Sequence, residues 1–262
     1  MIKKEKNGIT YFEFEHFAKT GLVNHCISTR LGGISKPPYH SMNLAYHMKD
    51  DAHDVNENFR LISEAVGFDH EKIVMTDQIH ENYHQIVDDL TKPVWVDGLI
   101  TEFPDFVLTS YYADCVPLLF LDPVEKIIAN AHAGWRGTAM DMAGKTLREM
   151  NYEFGSKMKN ILVGIGPAIK KHNFEVSRDV ASFILEYMPL STDYITKKSD
   201  RKWLVDLTGI NQARLLEMGV LSANIEISDL CTYDNPEWFF SHRRDGINRG
   251  NMAAMIALKE GI

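Results

Sequence analysis

The segment PLLFLDPVEKIIANAHAGWRG, residues 117–137, decides the fold because it holds the two clearest strand patterns of the chain. Each is a short apolar run bounded by turn-forming residues, which is typical of a buried strand. A short turn joins the two runs, and several other strand-like runs are paired in the same way. Such pairs predict mixed or antiparallel sheets rather than a doubly wound parallel sheet.

Helical and strand-like patterns alternate irregularly along the rest of the chain. Apolar residues at helical spacing predict helices over residues 51–66, 138–150, 180–187, 205–218 and 251–259. Asp54 and Thr138 are the expected N-caps of the first two helices. Short apolar runs predict further strands over residues 73–75, 86–87, 94–96, 98–101, 106–109, 160–167 and 225–230. The sequence therefore predicts an α+β protein with mixed β-sheets.

The size and composition of the chain are those of an ordinary globular protein. It has 262 residues, of which 45% are hydrophobic and 24% are charged. By surface-to-volume scaling, such a chain can bury roughly 70–75% of its unfolded surface without disulfides. The sequence contains no linker composition, charge block or fixed-period repeat that marks a boundary. We therefore expect residues 1–262 to form a single domain, present as a monomer or a small homo-oligomer.

Charge and targeting signals narrow the class of protein further. The formal net charge is −8, and the basic residues are scattered along the chain. Such a surface does not attract nucleic acid or a membrane, so neither partner is expected. The sequence shows no signal-peptide pattern and no long apolar span, which predicts a cytoplasmic protein. Cys26, Cys115 and Cys231 are an odd number of cysteines, which fits reduced thiols.

Three residues have the side chains of a catalytic zinc site. His80, Cys115 and His132 offer two imidazoles and a thiolate, which leave a fourth coordination position open. Cys115 precedes one predicted strand and His132 ends another, and active sites often lie at strand ends. Taken singly, each residue is more typical of a buried thiol or a core histidine. The adjacent Asp114 and the glycine-rich turn after His132 favour a functional site.

An overlapping motif, His80-Glu-Asn-Tyr-His84, matches the H-E-x-x-H pattern of zinc peptidases. That pattern requires both histidines on one face of a helix. Here the flanking apolar runs indicate strands meeting at a turn, and Asn82 is a poor helix former. The peptidase interpretation is therefore disfavoured, although His84 stays the nearest candidate for a fourth ligand.

Several cations lie near these motifs. Arg136 follows a strand-to-helix turn whose unpaired amides suit phosphate or another anion. Arg30 lies beside a glycine pair, and residues 242–246 with Arg249 concentrate positive charge near the C-terminus. A solvated loop is the favoured explanation for the last two unless they converge on the metal candidates. Three aromatic residues are candidates for stacking on a base: Tyr111, Tyr112 and Trp135.

The order of these motifs resembles the laccase-domain family of purine nucleoside phosphorylases, once described as multicopper polyphenol oxidases. The resemblance runs nearly end to end. It is carried by blocks at residues 28–35, 41–44, 78–80, 97–101, 113–117, 131–137, 166–169, 175–176, 231–233 and 240–246. So many blocks in the same order make the resemblance specific.

The resemblance implies a zinc site made by His80, Cys115 and His132 and an α/β/β/α layered fold with mixed sheets. It also implies phosphorolysis of adenosine, inosine, guanosine and S-methyl-5'-thioadenosine, with adenosine deamination as a side activity. Purine nucleosides and phosphate are the implied partners. The chain departs from the family pattern at Lys170-Lys171-His172, where Gly-Pro-Cys is usual, and at His242, where a tyrosine is common.

Zinc chemistry assigns roles to residues around the ligands. A zinc-bound water has a pKa of about 7, and the metal can also hold a phosphate oxygen. We expect Arg136, assisted by Arg30, to hold phosphate and Asn43 to make a polar contact with the nucleoside. Asp114 and Glu175 are the candidate proton carriers.

Three alternatives remain open from the sequence. Copper takes the same ligands in blue-copper sites, so a copper polyphenol oxidase is one of them. That chemistry also needs several histidine pairs, and the chain has no H-x-H pattern. A metal-free cysteine hydrolase would use Cys115 as nucleophile and His132 as base, and would tolerate loss of His80. A purine-sensing module with a structural metal would need a fourth protein ligand.

Overall fold

Two six-stranded β-sheets carry the fold in the computed structural model, which describes residues 1–90, 95–104 and 106–261. The strands are β1 (Ile2–Lys6), β2 (Ile9–Glu13), β3 (Val23–Ser28), β4 (Ile73–Met75), β5 (His84–Ile86), β6 (Gly98–Thr101), β7 (Val107–Tyr112), β8 (Val116–Asp122), β9 (Ile127–Ala133), β10 (Leu162–Ile165), β11 (Glu175–Ser177), β12 (Ile195–Lys197), β13 (Lys202–Val205), β14 (Ile225–Ile227) and β15 (Met252–Leu258). The helices are α1 (Glu15–Thr20), α2 (Ala52–Val66), α3 (Trp135–Ala139), α4 (Met142–Phe154), α5 (Arg178–Tyr187), α6 (Leu207–Glu217) and α7 (His242–Asp245).

The sheets are mixed, as the paired strand patterns predict. Sheet A has the strand order β1-β2-β3-β15-β7-β4, and sheet B has the order β14-β10-β8-β9-β6-β5. Most neighbours are antiparallel, while β4 with β7, β5 with β6, and β10 with β14 are parallel. A smaller sheet contains β11, β13 and β12. The prediction of an α+β fold with mixed sheets is confirmed.

Side-chain alternation along the central strands builds four layers. On β15, Ala254 and Ile256 pack into the apolar cluster between the two sheets, whereas Ala253 and Met255 pack against α2. On β8, Leu119 faces the cluster between the sheets, and the alternate residues face α3 to α6. Because successive residues of a strand point to opposite faces, both sheets are covered on both sides. The α/β/β/α arrangement of a single compact domain is confirmed.

The predicted C-terminal helix over residues 251–259 is wrong, because this segment is the strand β15. Its methionines and alanines are good helix formers, and its sequence MAAMIAL has no clear period of two. The strand lies between β3 and β7 in the centre of sheet A, and all its residues are buried. A strand covered on both faces reads as a continuous apolar run, which periodicity cannot distinguish from a buried helix.

The helix predicted over residues 138–150 is two helices, α3 and α4. Asp141, with a φ of 67°, separates them and caps α4 by accepting the N–H of Gly144 at 3.2 Å. Thr138 therefore lies inside α3, and its hydroxyl accepts a hydrogen bond from Asn211. The cap of α2 is Asp51 rather than the expected Asp54.

The remaining helix predictions are confirmed as α5 and α6, with shifted ends. Strands are present at all the other predicted positions that the structure fully describes, and the strand expected over 225–230 ends at Ile227. The strand expected over 94–96 begins at Val94, which lies outside the described residues. Within the described part of the chain, no helix has the length and apolar character needed to cross a membrane.

A buried polar bridge crosses the space between the two sheets, here called the seam. Asn130 on β9 donates to the carbonyl oxygens of Leu108 at 2.8 Å and Ala254 at 2.7 Å, and accepts from Ser110 at 2.6 Å. These partners belong to sheet A, so the amide joins the two sheets. His132 lies two residues further along β9 and therefore on the same face. The strand thus directs this histidine toward one end of the seam.

Candidate active site

The three predicted metal ligands lie together at that end of the seam. His80, Cys115 and His132 each offer one ligand atom, and these atoms all lie within 4.8 Å of one another. The two imidazole rings are nearly perpendicular, at 88°, and their centroids are 4.9 Å apart. His132 is buried, Cys115 is half-buried and His80 is exposed. The group is therefore accessible to solvent on the His80 side.

Connections between the sheets bring these residues together. His80 lies in the segment that leads from β4 in sheet A to β5 in sheet B. Cys115 lies in the short crossing from β7 in sheet A to β8 in sheet B, next to Asp114, whose φ is 96°. His132 comes from β9 itself. The ligand group exists because both crossings occur at the same end of the seam.

A buried carboxylate that sequence reasoning did not assign, Asp97, orients two of the ligands. It accepts the N–H groups of Ile79, His80 and Glu81 at 3.0 to 3.1 Å. It also contacts His132 Nδ1 at 2.9 Å. Its own burial acts to raise the pKa of Asp97, but these hydrogen bonds outweigh it, so the pKa is lowered. Asp97 lay inside a recognised block, yet only the folded chain reveals these contacts.

The conformation of the His80 loop is fixed from the other side by Gln78. Its side-chain amide donates to the carbonyl of Tyr111 at 2.9 Å and accepts the N–H of the same residue at 2.8 Å. The side chain thus pairs with β7 as a strand would. His80 itself has a φ of 61°, in the left-handed region that non-glycine residues seldom occupy. Gln78 and Asp97 together hold the histidine in this conformation.

Electrostatics favour a thiolate beside an imidazolium in the metal-free group. Burial alone would raise the pKa of the Cys115 thiol, but His132 and His80 lower it below its ordinary value. Burial alone would lower the pKa of His132, but the Cys115 sulfur and the Asp97 carboxylate raise it. A thiolate is the form of cysteine that binds metals and acts as a nucleophile.

The surroundings of the three donors fit a metal ion. A Cβ atom at Gly134 would lie 3.2 Å from Cys115 Sγ and 3.3 Å from His80 Cδ2. The backbone of Gly134, with φ −68° and ψ 178°, is one that any residue adopts. The missing side chain therefore serves to leave room beside the donors. Two imidazoles, a thiolate and the carboxylate of Asp97 behind one imidazole form a common zinc arrangement.

The H-E-x-x-H pattern does not form a peptidase site. His80 lies in a loop and His84 begins β5, so the two are not on one face of a helix. His84 Nε2 contacts the hydroxyl of Thr146 at 2.7 Å. Burial is the main cause that lowers the pKa of His84, to about 4. Within the described residues, His84 is not part of the ligand group.

Two cavities adjoin the ligand group, and both include His80 and Cys115. The tyrosine-side cavity, of about 360 Å³, is further lined by His47, Asp77, Gln78, Tyr111, Tyr112, Ala113, His132, Arg249 and Asn251. The tryptophan-side cavity, of about 440 Å³, is further lined by Ala113, Asp114, Trp135, Ile169, Phe174, Leu207, His242, Arg243 and Arg249. The three aromatic residues expected to face a base therefore line these cavities.

Arg249 is the cation that faces both cavities. Its Nη1 donates to the carbonyl of Gly250 at 3.0 Å and to Asn251 Oδ1 at 2.5 Å. Its Nε is buried and has no acceptor among the described residues. Burial lowers the pKa of Arg249, and the charges of Asp114 and Cys115 act against that shift. In the sequence, Arg249 is distinguished only as part of the cation-rich stretch near the C-terminus.

The residues expected to bind substrate lie around the site rather than in it. Arg30 donates to the carbonyls of His40, at 3.0 Å, and Pro236, at 3.1 Å. Asn43 is buried and accepts the N–H of Asn251 at 2.9 Å, which supports the wall of the tyrosine-side cavity. Arg136 is exposed and lies over the Trp135 ring, 4.8 Å from its centroid.

The candidate proton carriers have other partners. Asp114 accepts hydrogen bonds from Thr232 at 2.6 Å, Ser241 at 3.0 Å and the N–H of Arg243 at 2.7 Å. Its carboxylate therefore anchors the C-terminal loops around the tryptophan-side cavity. Glu175 forms ion pairs with two lysines on its own side of the molecule, Lys198 and Lys202.

Comparison with known proteins identifies the family. A profile of the family described as multi-copper polyphenol oxidoreductase laccase matches residues 24–259. The chain belongs to this family. Among curated members, the purine nucleoside phosphorylase YlmD of Bacillus subtilis is 32% identical over 89% of this chain and 87% of its own. A purine nucleoside phosphorylase of Bacteroides thetaiotaomicron is 32% identical over 98% of both chains.

The fold of this laccase-like family member also matches solved structures. The crystal structure of the hypothetical protein YfiH of Bacillus licheniformis superposes with a TM-score of 0.91 at 30% sequence identity. The superposition covers 98% of this chain and 99% of that one. The predicted resemblance to the laccase-domain purine nucleoside phosphorylases is confirmed.

Proposed function

We propose that this laccase-like protein is a zinc-dependent purine nucleoside phosphorylase. Its proposed substrates are adenosine, inosine, guanosine and S-methyl-5'-thioadenosine, with phosphate as co-substrate and adenosine deamination as a side activity. The observation that carries the proposal is the open group of His80, Cys115 and His132 beside two cavities. The names of the related phosphorylases support the same reaction class.

Different residues of this chain would bind the proposed zinc ion and orient its ligands. His80, Cys115 and His132 would hold the ion, and Asp97 would fix the orientation of His132 through Nδ1. Zinc bound there would supply a Lewis acid that activates water or binds phosphate near neutral pH. Because no fourth protein ligand joins the group among the described residues, one position stays available for chemistry.

Arg249 is the strongest candidate for holding phosphate in place of Arg30. Its guanidinium lines both cavities, and its buried Nε has no acceptor among the described residues. A phosphate oxygen is the acceptor that would satisfy this donor. Arg136 is still proposed to contact phosphate, at the rim of the tryptophan-side cavity, since it lies over Trp135 in the wall of that cavity.

The purine is proposed to lie in the tyrosine-side cavity. The rings of His47 and Tyr111 lie there with centroids 5.1 Å apart, and such rings stack on bases. Asn251 offers an amide in the same wall, and Asn43 fixes the backbone of Asn251. Asn43 is thus proposed to act on substrate through Asn251. This arrangement would exclude water from one face of the nucleoside while the anomeric carbon reacts.

A cysteine hydrolase is the second candidate function, because the site also contains a nucleophile, a base and an orienting carboxylate. Cys115 lies beside His132, and His132 is oriented by Asp97 at 2.9 Å. A base that lies next to a thiol and is itself oriented by a carboxylate activates that thiol as a nucleophile. The two functions differ in their need for His80, which the hydrolase would tolerate losing. A copper polyphenol oxidase differs from both in its metal.

Metal analysis combined with a phosphate-dependence assay tests these functions. We expect purified protein to hold about one zinc per chain at this site, as an open catalytic site requires, and to release hypoxanthine from inosine only when phosphate is present. His80→Ala and His132→Ala should each bind about one zinc per chain fewer than wild type and lose activity, because each removes a ligand of this site. His70→Ala, at an exposed histidine outside the site, is the matched control and should keep both.

Each alternative predicts a different result from the same measurements. Copper in place of zinc, with oxidation of phenols, would favour the oxidase. Full turnover by metal-free protein, or by His80→Ala, would contradict the zinc proposal and favour the hydrolase.

A further inference from the structure

A second group of metal-type donors lies outside the active site, where two turns face each other. His172 is in the turn at residues 171–173, and Cys231 and Asp234 begin and end the segment 231–234. A ring nitrogen, the sulfur and a carboxylate oxygen of these residues all lie within 4.8 Å of one another. Within the described part of the chain, this group and the active-site group are the two that bring such donors this close.

Backbone hydrogen bonds hold both turns in place. Cys231 forms a parallel bridge with Ala168, and the N–H of Thr232 donates to the Ala168 carbonyl at 3.2 Å. The N–H of Asn173 donates to the Lys170 carbonyl at 2.9 Å, which closes the first turn. The donors are therefore arranged before any ion binds, and binding needs little reordering of the backbone.

The Cys231 sulfur is the buried donor of the group. Cys231 is only 4% exposed, and its sulfur accepts the N–H of Lys170 at 3.4 Å and the side-chain amide of Asn173 at 3.5 Å. The side chains of His172 and Asp234 are 64% and 43% exposed at the rim. An ion from solvent can therefore reach the sulfur between them.

The distances and charges of the group also fit a divalent ion. His172 Nε2 lies 2.6 Å from Asp234 Oδ2. Ligands of tetrahedral zinc with bonds of about 2.0–2.1 Å lie roughly 3.3 Å apart. These two exposed side chains therefore need to separate by less than ~1 Å to take an ion between them. Once the ion has displaced the thiol proton, Cys231 and Asp234 would neutralise its two positive charges.

We propose that His172, Cys231 and Asp234 form a second zinc site, which ties the turn at 171–173 to the segment 231–234. Nitrogen, sulfur and oxygen donors of this kind suit zinc and its substitute cobalt. The adjoining Phe174 lines the tryptophan-side cavity, so an ion here also fixes one wall of that cavity. The second site stands independently of the phosphorylase function, because it shares no residue with the active-site group.

Cobalt binding to a Cys115→Ser protein tests this site separately from the first one. The substitution removes the thiolate of the active-site group, and Cys26 is fully buried on β3. Sulfur bound to Co²⁺ gives a charge-transfer absorption that nitrogen and oxygen ligands do not give. We expect this absorption to saturate at about one equivalent per chain, given three ligands converging on one position. Added Zn²⁺ should abolish it by displacing the cobalt.

Variants of the three ligands complete the test. In the Cys115→Ser background, Cys231→Ser should lose the absorption. His172→Gln and Asp234→Asn should weaken Co²⁺ binding at least about tenfold, since loss of outer-shell partners alone costs 10–100-fold. His70→Gln, at an exposed histidine, is the control and should bind as the background does. Circular dichroism should show all variants folded, and His172 and Asp234 lie where substitution leaves the core intact.

Three results would overturn the second site. They are the absence of a sulfur–cobalt absorption in Cys115→Ser, its persistence after Cys231→Ser, and unchanged affinity in both His172→Gln and Asp234→Asn. None of them bears on zinc or phosphorolysis at the first site in wild-type protein. Failure of the active-site proposal would likewise leave the Co²⁺ titration of Cys115→Ser unchanged.

Discussion

At the residue scale, one carboxylate determines the shape of the active site. Asp97 is 2% exposed and accepts hydrogen bonds from three consecutive backbone N–H groups as well as contacting His132. A neutral amide in its place has one acceptor oxygen and presents an NH₂ group to donors, so it cannot satisfy these contacts. The effect of Asp97 on the predicted ligands can therefore be tested separately from direct binding of an ion.

We expect Asp97→Asn to lower zinc affinity about 10–100-fold, the usual effect of losing an outer-shell carboxylate. The physical cause is loss of the orientation of His132 and of the loop that carries His80. Competition with a chromophoric chelator measures the change. Asp200→Asn, whose side chain is 97% exposed, is the matched control and should keep wild-type affinity. A folded Asp97→Asn protein with wild-type affinity would contradict this role.

At the element scale, the strands show what sequence patterns can and cannot determine. Segment 117–137 predicts β8 and β9 correctly because short apolar runs with turn residues between them have few other structures. The prediction for the β15 segment was wrong because its local pattern fits a helix as well as a strand. Only its pairing between two other strands distinguishes it from a helix. Side-chain chemistry alone suggested residues 80, 115 and 132 as candidate ligands, and the structure brings their donor atoms within 4.8 Å of one another. Asp97 and Arg249 were not assigned, because their roles depend on contacts between distant segments.

A histidine on β3 links one strand to the helix before it. His25 Nε2 accepts the N–H of Phe14, the N-cap residue of α1, at 2.7 Å. Burial is the main cause that lowers the pKa of His25 from its ordinary value of 6.5 to about 3. The unfolded chain therefore binds a proton at His25 at a pH where the folded chain does not. Stability from this residue is complete above pH 6.5 and is lost as the pH falls toward 3.

We expect His25→Gln to flatten the pH dependence of stability. Between pH 6.5 and 3 the free energy of unfolding should fall less steeply than in wild type, by up to about 1.4 kcal/mol per pH unit. Denaturant unfolding at several pH values measures the difference in slope, and glutamine keeps an acceptor for Phe14. The exposed variant His70→Gln should keep the wild-type slope. An identical slope in His25→Gln would show that His25 is protonated in the folded chain.

At the scale of the whole molecule, the ligand group joins the two sheets. His80 and Cys115 lie in connections from sheet A to sheet B, and His132 lies in sheet B. An ion held by all three would bind the folded chain and not the unfolded one, in which the ligands are far apart. Metal binding there would therefore be coupled to the stability of the entire fold.

We expect chelation to lower the melting temperature of zinc-loaded protein. At a free zinc concentration 100 times the dissociation constant, the bound ion adds about 2.7 kcal/mol to the free energy of unfolding. Thermal unfolding with and without a chelator measures this effect. Cys115→Ser lacks the active-site thiolate and should show a smaller shift. Equal shifts in the two proteins would contradict coupling through the active-site group.

The alternation of side chains along β9 has one more consequence. Asn130 and His132 face the seam, and the alanines on either side of His132 face the helices. A β9 strand paired one position out of register would present alanine where the imidazole belongs and would bury the imidazole among aliphatic side chains. Such a misaligned chain would not bring His132 to His80 and Cys115. The group of three donors therefore depends on the correct pairing register of β9.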